Sequence, residues 1–429
     1  MNSAPDTKPN QDAKYIAMIF AVAMAASLTM VFGVFRQQSL VANSGDPYHY
    51  GEIARGFVQH GFTSLTRRAA SLYPELIALV YRLGGNDLAV VLVQCFLHAG
   101  TCLLVFLLGR RLYNARTGLL AGLFCALHPM LLRYVPDLHM ETLLTFVSVL
   151  TVWSAVRFHY QPTLANGVLL GAVGMGAVLT KGVILPFLVL FGIISALFAL
   201  HRGSAKGVAA VVAMFLTMAL VVAPWTYRNY QVTGGRFVLI TPGASDSFLR
   251  GYIFTRWEFA TLQKPPYTDA ENESNAWFRK IARDAGTEWE ADEVVDEANN
   301  ARVAKQMIVT HPLDTARKVV VGLFTFWYEM TTLKNSLIPA SLALIGWALA
   351  FVGWRRAHRE GRPSWLIWLP IVVMNVFVAT LIPLGRYSVP VLPCLMILAA
   401  FGVDTLLSRR GMVPPSRQHA APSGASIID

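Results

Sequence analysis

Asp46 stands in the run Asp46-Pro47-Tyr48-His49-Tyr50, a short stretch beyond the first long apolar segment, Tyr15 to Phe35. A carboxylate flanked by aromatics at a membrane exit can stay ionised in the wet interface. There it can take a proton from a hydroxyl as that oxygen attacks its substrate. Asp-Pro also initiates turns through the aspartate side chain, so local sequence leaves a base and an Asx-turn as level readings. A second acidic pair lies in Pro136-Asp137-Leu138-His139-Met140-Glu141. Four residues apart, Asp137 and Glu141 share a face if a helix has begun by Asp137. Acids at a helix start also suit its dipole, but Glu141 falls deeper in its apolar segment than capping requires. Ionisable groups inside spans are rare and usually functional.

Three cations come from distant parts of the chain: Lys181, Arg228 and Arg386. Each one alone reads as a side chain snorkelling to the headgroups. Together, on the face that carries the acids, they suit a phosphate, whose oxygens guanidinium groups match in pairs. His49 and His139 lack the dense spacing of a metal motif and read as polar packing groups rather than ligands. The four cysteines, Cys95, Cys102, Cys125 and Cys394, all sit in apolar segments without a CxxC and read as core.

The elements that must place these side chains are membrane helices. The chain has 429 residues, 55% hydrophobic and 14% charged, far below the ~25% charged of a soluble domain. Apolar runs fall near 15–35, 88–108, 117–134, 139–156, 164–180, 183–200, 207–224, 336–354, 364–383 and 388–406, and their lengths suit spans. The first is too long for a cleaved signal, whose core is only ~7–15 residues. The net charge of +11 is spread between the apolar runs and forms no basic domain, which argues against a nucleic-acid partner. Basic connectors at 110–116, 157–159, 201–206 and 355–362 mark the cytoplasmic side, with both termini there too.

This gives an all-α polytopic fold of about ten spans. Residues 1–14 form a cytoplasmic tail and 15–224 an N-terminal catalytic module holding the extracytoplasmic loop 36–87. Residues 225–335 form an extracytoplasmic and interfacial region, 336–408 the last spans, and 409–429 a disordered, Pro/Ser-rich tail. Leu76 to Leu83 reads as an amphipathic helix lying in the interface. The dense Asp269 to Gln306 stretch reads as helical, closed by His311-Pro312. Val319 to Met330 is short for a span, and Trp327 and Tyr328 suit an interface.

In these residues the chain resembles the bacterial glycosyltransferases of family 39, the group of GT-C fold that includes protein O-mannosyltransferases and lipid A aminoarabinose transferases. The resemblance runs through Asp46 to Tyr50, Tyr73-Pro74, Arg111-Leu112-Tyr113, His128-Pro129 and Glu141-Thr142-Leu143. It continues through Lys181-Gly182, Pro224-Trp225 with Arg228-Asn229, His311-Pro312 and Arg386-Tyr387. It implies a polyprenyl-phosphate sugar donor, inverting transfer to an extracytoplasmic hydroxyl on lipid A, a glycan or a protein, and a catalytic Asp at position 46. Asp137 or Glu141 would support the acceptor or the loop, and Arg386, Arg228 and Lys181 would hold the donor phosphate. Tyr48, His49, Tyr50, Tyr73 and His139 are candidates for the acceptor or sugar pocket. No cofactor is implied as required, although some members carry a bound divalent ion. The expected location is a bacterial inner membrane, with the site facing the periplasm or exterior. The rival readings are a flippase for a lipid-linked sugar, or a polysaccharide polymerase or ligase using a diphosphate carrier.

Overall fold

The computed structural model describes residues 9–34, 45–61, 72–255, 276, 280, 283–284, 293–330 and 333–409. Among them there is no strand. The helices are α1 (Pro9–Thr29, continued by a wider turn to Val34), α2 (Gly45–His60), α3 (Leu72–Arg82), α4 (Asp87–Leu112) and α5 (Ala115–Leu127). Then come α6 (Pro129–Leu132), α7 (Glu141–Tyr160), α8 (Leu164–Thr180), α9 (Leu185–His201) and α10 (Ala205–Val232). The chain continues with α11 (Ala244–Phe254), α12 (Glu293–Thr310), α13 (Pro312–Thr325), α14 (Leu333–Arg359), α15 (Trp365–Ala379) and α16 (Leu392–Arg409). Seven segments are long and apolar enough to cross a membrane, and α5, α8 and α15 are shorter apolar helices. Together they occupy the ten segments expected from hydropathy. The chain is a multi-pass α-helical membrane protein.

Local chemistry sets most of the helix starts. Asn86, Asn114, Thr163 and Ser204 each accept a hydrogen bond from the backbone N–H three residues on, satisfying donors that have no partner within the helix. The third apolar segment stops at Leu127 rather than running to 134, because Pro129 disfavours helical backbone at His128. The His128 side chain then caps α6 through Met130 N. Conversely, α10 runs eight residues beyond Pro224. Asn229, fully buried, donates to the carbonyls of Val238 and Ile240 (3.0 and 2.9 Å), and Trp225 Nε1 donates to Ile240 O (2.8 Å). These contacts fold the following segment back onto the helix end.

Small residues let the spans approach closely, as they do in membranes where no hydrophobic force draws helices together. A methyl group at Gly167 would lie 2.2 Å from the carbonyl oxygen of Ala210, and one at Gly402 only 2.0 Å from that of Leu349. These glycines set the α8–α10 and α14–α16 crossings. The α3 helix is amphipathic as expected, burying Tyr73, Pro74, Ile77 and Ala78. The helix closed by His311-Pro312 is α12, and the part of that stretch before Glu293 lies almost wholly outside the described residues. The segment 319–330 is the second half of α13 plus a turn. Its Trp327 lies inside the protein, edge-on to Trp347 at 5.0 Å between centroids.

The basic connectors gather at one end of the bundle. Asp404, 3% exposed, is bound by Asn114 (3.2 Å), Arg356 (3.2 Å) and Arg116 (3.5 Å), while Arg362 donates to the carbonyls of Leu112 and Tyr113. The opposite end carries the acids and cations singled out above.

Candidate active site

Four separate pieces of backbone deliver the site: the first turn of α2, the start of α7 with the loop before it, the end of α8, and the 3-10 turn Gly385–Ser388. Arg386 is the centre. Its Nη1 donates to Asp46 Oδ2 at 2.8 Å across 340 residues of sequence, and its Nε lies 3.9 Å from Glu141 Oε1. Lys181, the residue ending α8, places its ammonium 3.9 Å from the centre of the Tyr387 ring, and the Arg386 guanidinium lies 5.1 Å from the same centre. Two cations therefore flank the Tyr387 ring, and two carboxylates lie against one of them, Arg386. The site draws on both the 15–224 segment and the last spans.

The electrostatics follow from this arrangement. Burial alone would push the Asp46 carboxyl up. Arg386, by charge and by hydrogen bond, and then Lys181 and His139, by charge, outweigh burial and hold it below the usual carboxylate value. Asp46 is thus an anion at neutral pH. Tyr387 follows the same logic: burial would raise its hydroxyl, but the charges of Lys181 and Arg386 bring it below its ordinary value.

Asp137 is not on the α7 helix, which begins only at Glu141. It sits in the preceding turn, where Oδ1 accepts from the N–H of Leu138 (2.8 Å) and Oδ2 lies 3.2 Å from His139 Nδ1. Burial opposes the charged form of His139, but the Asp137 hydrogen bond and the charges of Glu141 and Asp137 leave its imidazole above the ordinary value. Glu141 is 2% exposed, and its Oε2 has no hydrogen-bond partner among the described residues. Arg228 packs over its own Trp225 (4.6 Å) and donates to Asn229. The contacts joining Asp46, Glu141, Lys181 and Arg386 do not include it. Tyr48 is exposed and His49 half-buried. Tyr50 and Tyr73 are interior, 2% and 1% exposed, and meet edge to face at 5.2 Å.

Sequence reasoning left out Tyr387, Gln94 and the 328–329 turn. Tyr387 was visible only as the neighbour of an arginine. Gln94 carried a signal, being an amide within an apolar run. The turn at 328–329 carried none: the carbonyl of Glu329 accepts from the Gly385 N–H at 2.6 Å, fixing the backbone that bears Arg386.

Among the described residues no three His, Cys, Asp or Glu side chains stand close enough to share an ion. The cation between Asp46 and Glu141 is the Arg386 guanidinium itself.

This all-α bundle, with its charged site at one end of the spans, is similar in fold to solved structures of GT-C transferases. Similar to it is the archaeal oligosaccharyltransferase AglB from Archaeoglobus fulgidus, in complex with an inhibitory peptide and a dolichol-phosphate. The identity is 15%, covering 95% of this chain and 53% of that one, with a TM-score of 0.56. The A. fulgidus oligosaccharyltransferase in complex with Zn and sulfate is similar at 16% identity, over 92% of this chain and 50% of that one, with a TM-score of 0.55. The chain thus spans about half the length of these transferases. ArnT from Cupriavidus metallidurans bound to undecaprenyl phosphate aligns over 97% of this chain and 82% of its own, at 15% identity and a TM-score of 0.36. No curated protein matches by sequence. Residues 70–227 match the family model described as dolichyl-phosphate-mannose-protein mannosyltransferase. The resemblance read from the sequence therefore recurs in a family match and in the fold.

Proposed function

We propose that this protein is an inverting membrane glycosyltransferase that moves a sugar from a polyprenyl-phosphate donor to an acceptor hydroxyl. One observation carries the reading: the Asp46–Arg386 ion pair, with Lys181 and Glu141 beside it, at one end of a membrane bundle. The family match over 70–227 supports transfer from such a carrier, and the dolichol-phosphate named with AglB supports the donor class.

The chemistry follows from the groups present. The donor phosphate displaces part of the carboxylate from Arg386 and draws on Lys181. Its negative charge weakens the positive field that keeps Asp46 a poor base, so donor binding raises the basicity of the carboxylate beside it. The acceptor hydroxyl attacks the anomeric carbon from the face opposite the phosphate, and Asp46 takes its proton. The C–O bond to phosphate breaks with its electron pair, and Arg386 and Lys181 stabilise the charge that develops there. A single displacement inverts the anomeric centre. Glu141 orients Arg386, and Asp137 with His139 shapes the loop toward the acceptor, with Tyr48 and His49 toward the open side. Arg228 is assigned to the outer part of the donor path. Every step uses this chain's own groups.

The basic connectors support a cytoplasmic position for the opposite end. The site then opens to the periplasm or exterior of a bacterial inner membrane. The test is sugar transfer by the purified protein from matched mono- and diphosphate polyprenyl donors. Product from the monophosphate supports the reading. Product from the diphosphate alone, or donor movement across vesicles without product, overturns it.

A further inference from the structure

Gln94 is a buried amide that the mechanism above does not use. It is fully buried on α4, within a run from Leu88 to Leu97 that is otherwise apolar. Its side chain makes three hydrogen bonds. Oε1 accepts from Tyr73 OH at 2.9 Å, and Nε2 donates to the carbonyls of Val135 (2.9 Å) and Asp137 (2.8 Å). Both amide donors are therefore spent on one loop, which fixes which way the amide faces. That loop carries Asp137 and His139 and leads directly into Glu141. It is tied down further by Thr142 Oγ1, which donates to Tyr134 O at 3.1 Å.

The other side of the amide reaches α2. Tyr73, held by Gln94, stands edge-on to Tyr50, and Tyr50 follows Asp46 by one helical turn. The two parts of the site that carry carboxylates, α2 and the 135–141 segment, thus meet through Tyr50, Tyr73 and Gln94. An apolar side chain at 94 would take these partners from the Tyr73 hydroxyl and the Val135 carbonyl, a state proteins avoid, and leave the Asp137 carbonyl with the His139 N–H (2.7 Å) alone.

The geometry points to Gln94 as a positioning residue that sets the acidic loop against the helix of Asp46. It touches no substrate and acts through Asp137, Glu141 and Asp46. Its kinetic readout rests on the proposed sugar transfer, but its structural readout does not.

The experiment compares Gln94→Met, Gln94→Glu and Tyr73→Phe with wild type as purified full-length proteins. The first readout is amide hydrogen exchange. Loss of these bonds should speed exchange on the order of tenfold in 134–140 and in the first turns of α2, with the spans unchanged. The second is turnover. Displacing the loop should lower kcat on the order of 10–100-fold per folded molecule while the donor KM changes little. The third is pH. In the Gln94→Glu protein an ionised carboxylate repels the two loop carbonyls, whereas the protonated acid can donate one hydrogen bond. Turnover of that variant relative to wild type should therefore rise as pH falls.

Tyr73→Phe removes a single hydroxyl and keeps the test open if changes at 94 prevent folding. It should move exchange and kcat in the same direction by a smaller factor. Unchanged exchange in 134–140 in the variants that fold, or unchanged kcat in them with wild type active, overturns the inference. Faster exchange with no transfer by wild type from any donor supports the inference and fails the transferase reading instead.

Discussion

Gly385→Ala should cost activity out of proportion to its size. A methyl group at Gly385 would lie 3.0 Å from Glu329 O, 3.1 Å from Tyr328 C and 3.3 Å from Glu329 N. Ordinary contact begins near 3.4 Å, so the two backbones must part by about 0.4 Å, for an overpacking cost at the low end of ~1–3 kcal/mol. The next residue is Arg386, whose 2.8 Å bond to Asp46 would stretch toward ~3.2 Å if the shift passes through whole, the edge of the usual range. A 1 Å error in a reacting geometry costs about 100-fold, so this smaller one should lower kcat by roughly 5–10-fold. The assay is sugar transfer per folded molecule, with folding followed by the thermal midpoint in detergent. Gly56→Ala serves as the control, because a methyl group there meets nothing within 4 Å inside α2. It should be neutral or stabilising by about 0.5–1 kcal/mol. Wild-type kcat in a folded Gly385→Ala protein, or an equal loss in Gly56→Ala, would refute the reasoning.

Lys318 gives a pH prediction. It is fully buried, donates to the carbonyls of Phe248 and Thr380, and burial lowers its amine from 10.5 to about 7. Between those values the folded protein binds fewer protons than the unfolded chain, so stability should rise with pH from about 7 to about 10.5. At ~1.4 kcal/mol per pH unit the ceiling is about 5 kcal/mol, reduced because the carbonyls and the Phe248 ring favour the charged amine. Lys318→Met should flatten this rise in unfolding curves taken from pH 7 to 10; parallel curves for the two proteins would contradict it. At the far end of the bundle, Asp404→Asn should weaken the hold on Arg356 and Arg116. Both arginines retain some exposure, so the expected cost is about 1–3 kcal/mol, below that of breaking a fully buried pair. Asp404 lies twelve residues along α16 from Leu392, about 18 Å from the site end, so turnover per folded molecule should not change.

Much of the architecture was legible because membrane burial leaves a coarse signal. Ten apolar runs, the basic connectors between them and the amphipathic stretch over α3 could be read without knowing any contact. The break at Pro129 was also on the page, in a proline whose effect on His128 is local. What could not be read depends on long-range closure. Nothing local to Asp46 selects Arg386 as its partner, and nothing in the 3-10 turn shows that the 328–329 backbone will fix it. Arg228 was singled out by its side of the membrane alone, and nothing local showed that its guanidinium would lie over its own helix's Trp225. Lys318 was hidden because a lysine in a short amphipathic run reads as solvated until α11 and Thr380 close over it.

The central claim is that Asp46 is the base of a sugar transfer. The most direct test is turnover of wild type and Asp46→Asn with a polyprenyl-monophosphate sugar donor, at equal folded protein and with donor binding measured alongside. The asparagine keeps an oxygen for Arg386, so the site should hold together and bind donor within a few-fold of wild type. The expected result is loss of turnover by about 10²–10⁴-fold, the usual worth of general-base catalysis. Full turnover by the asparagine variant would contradict the account.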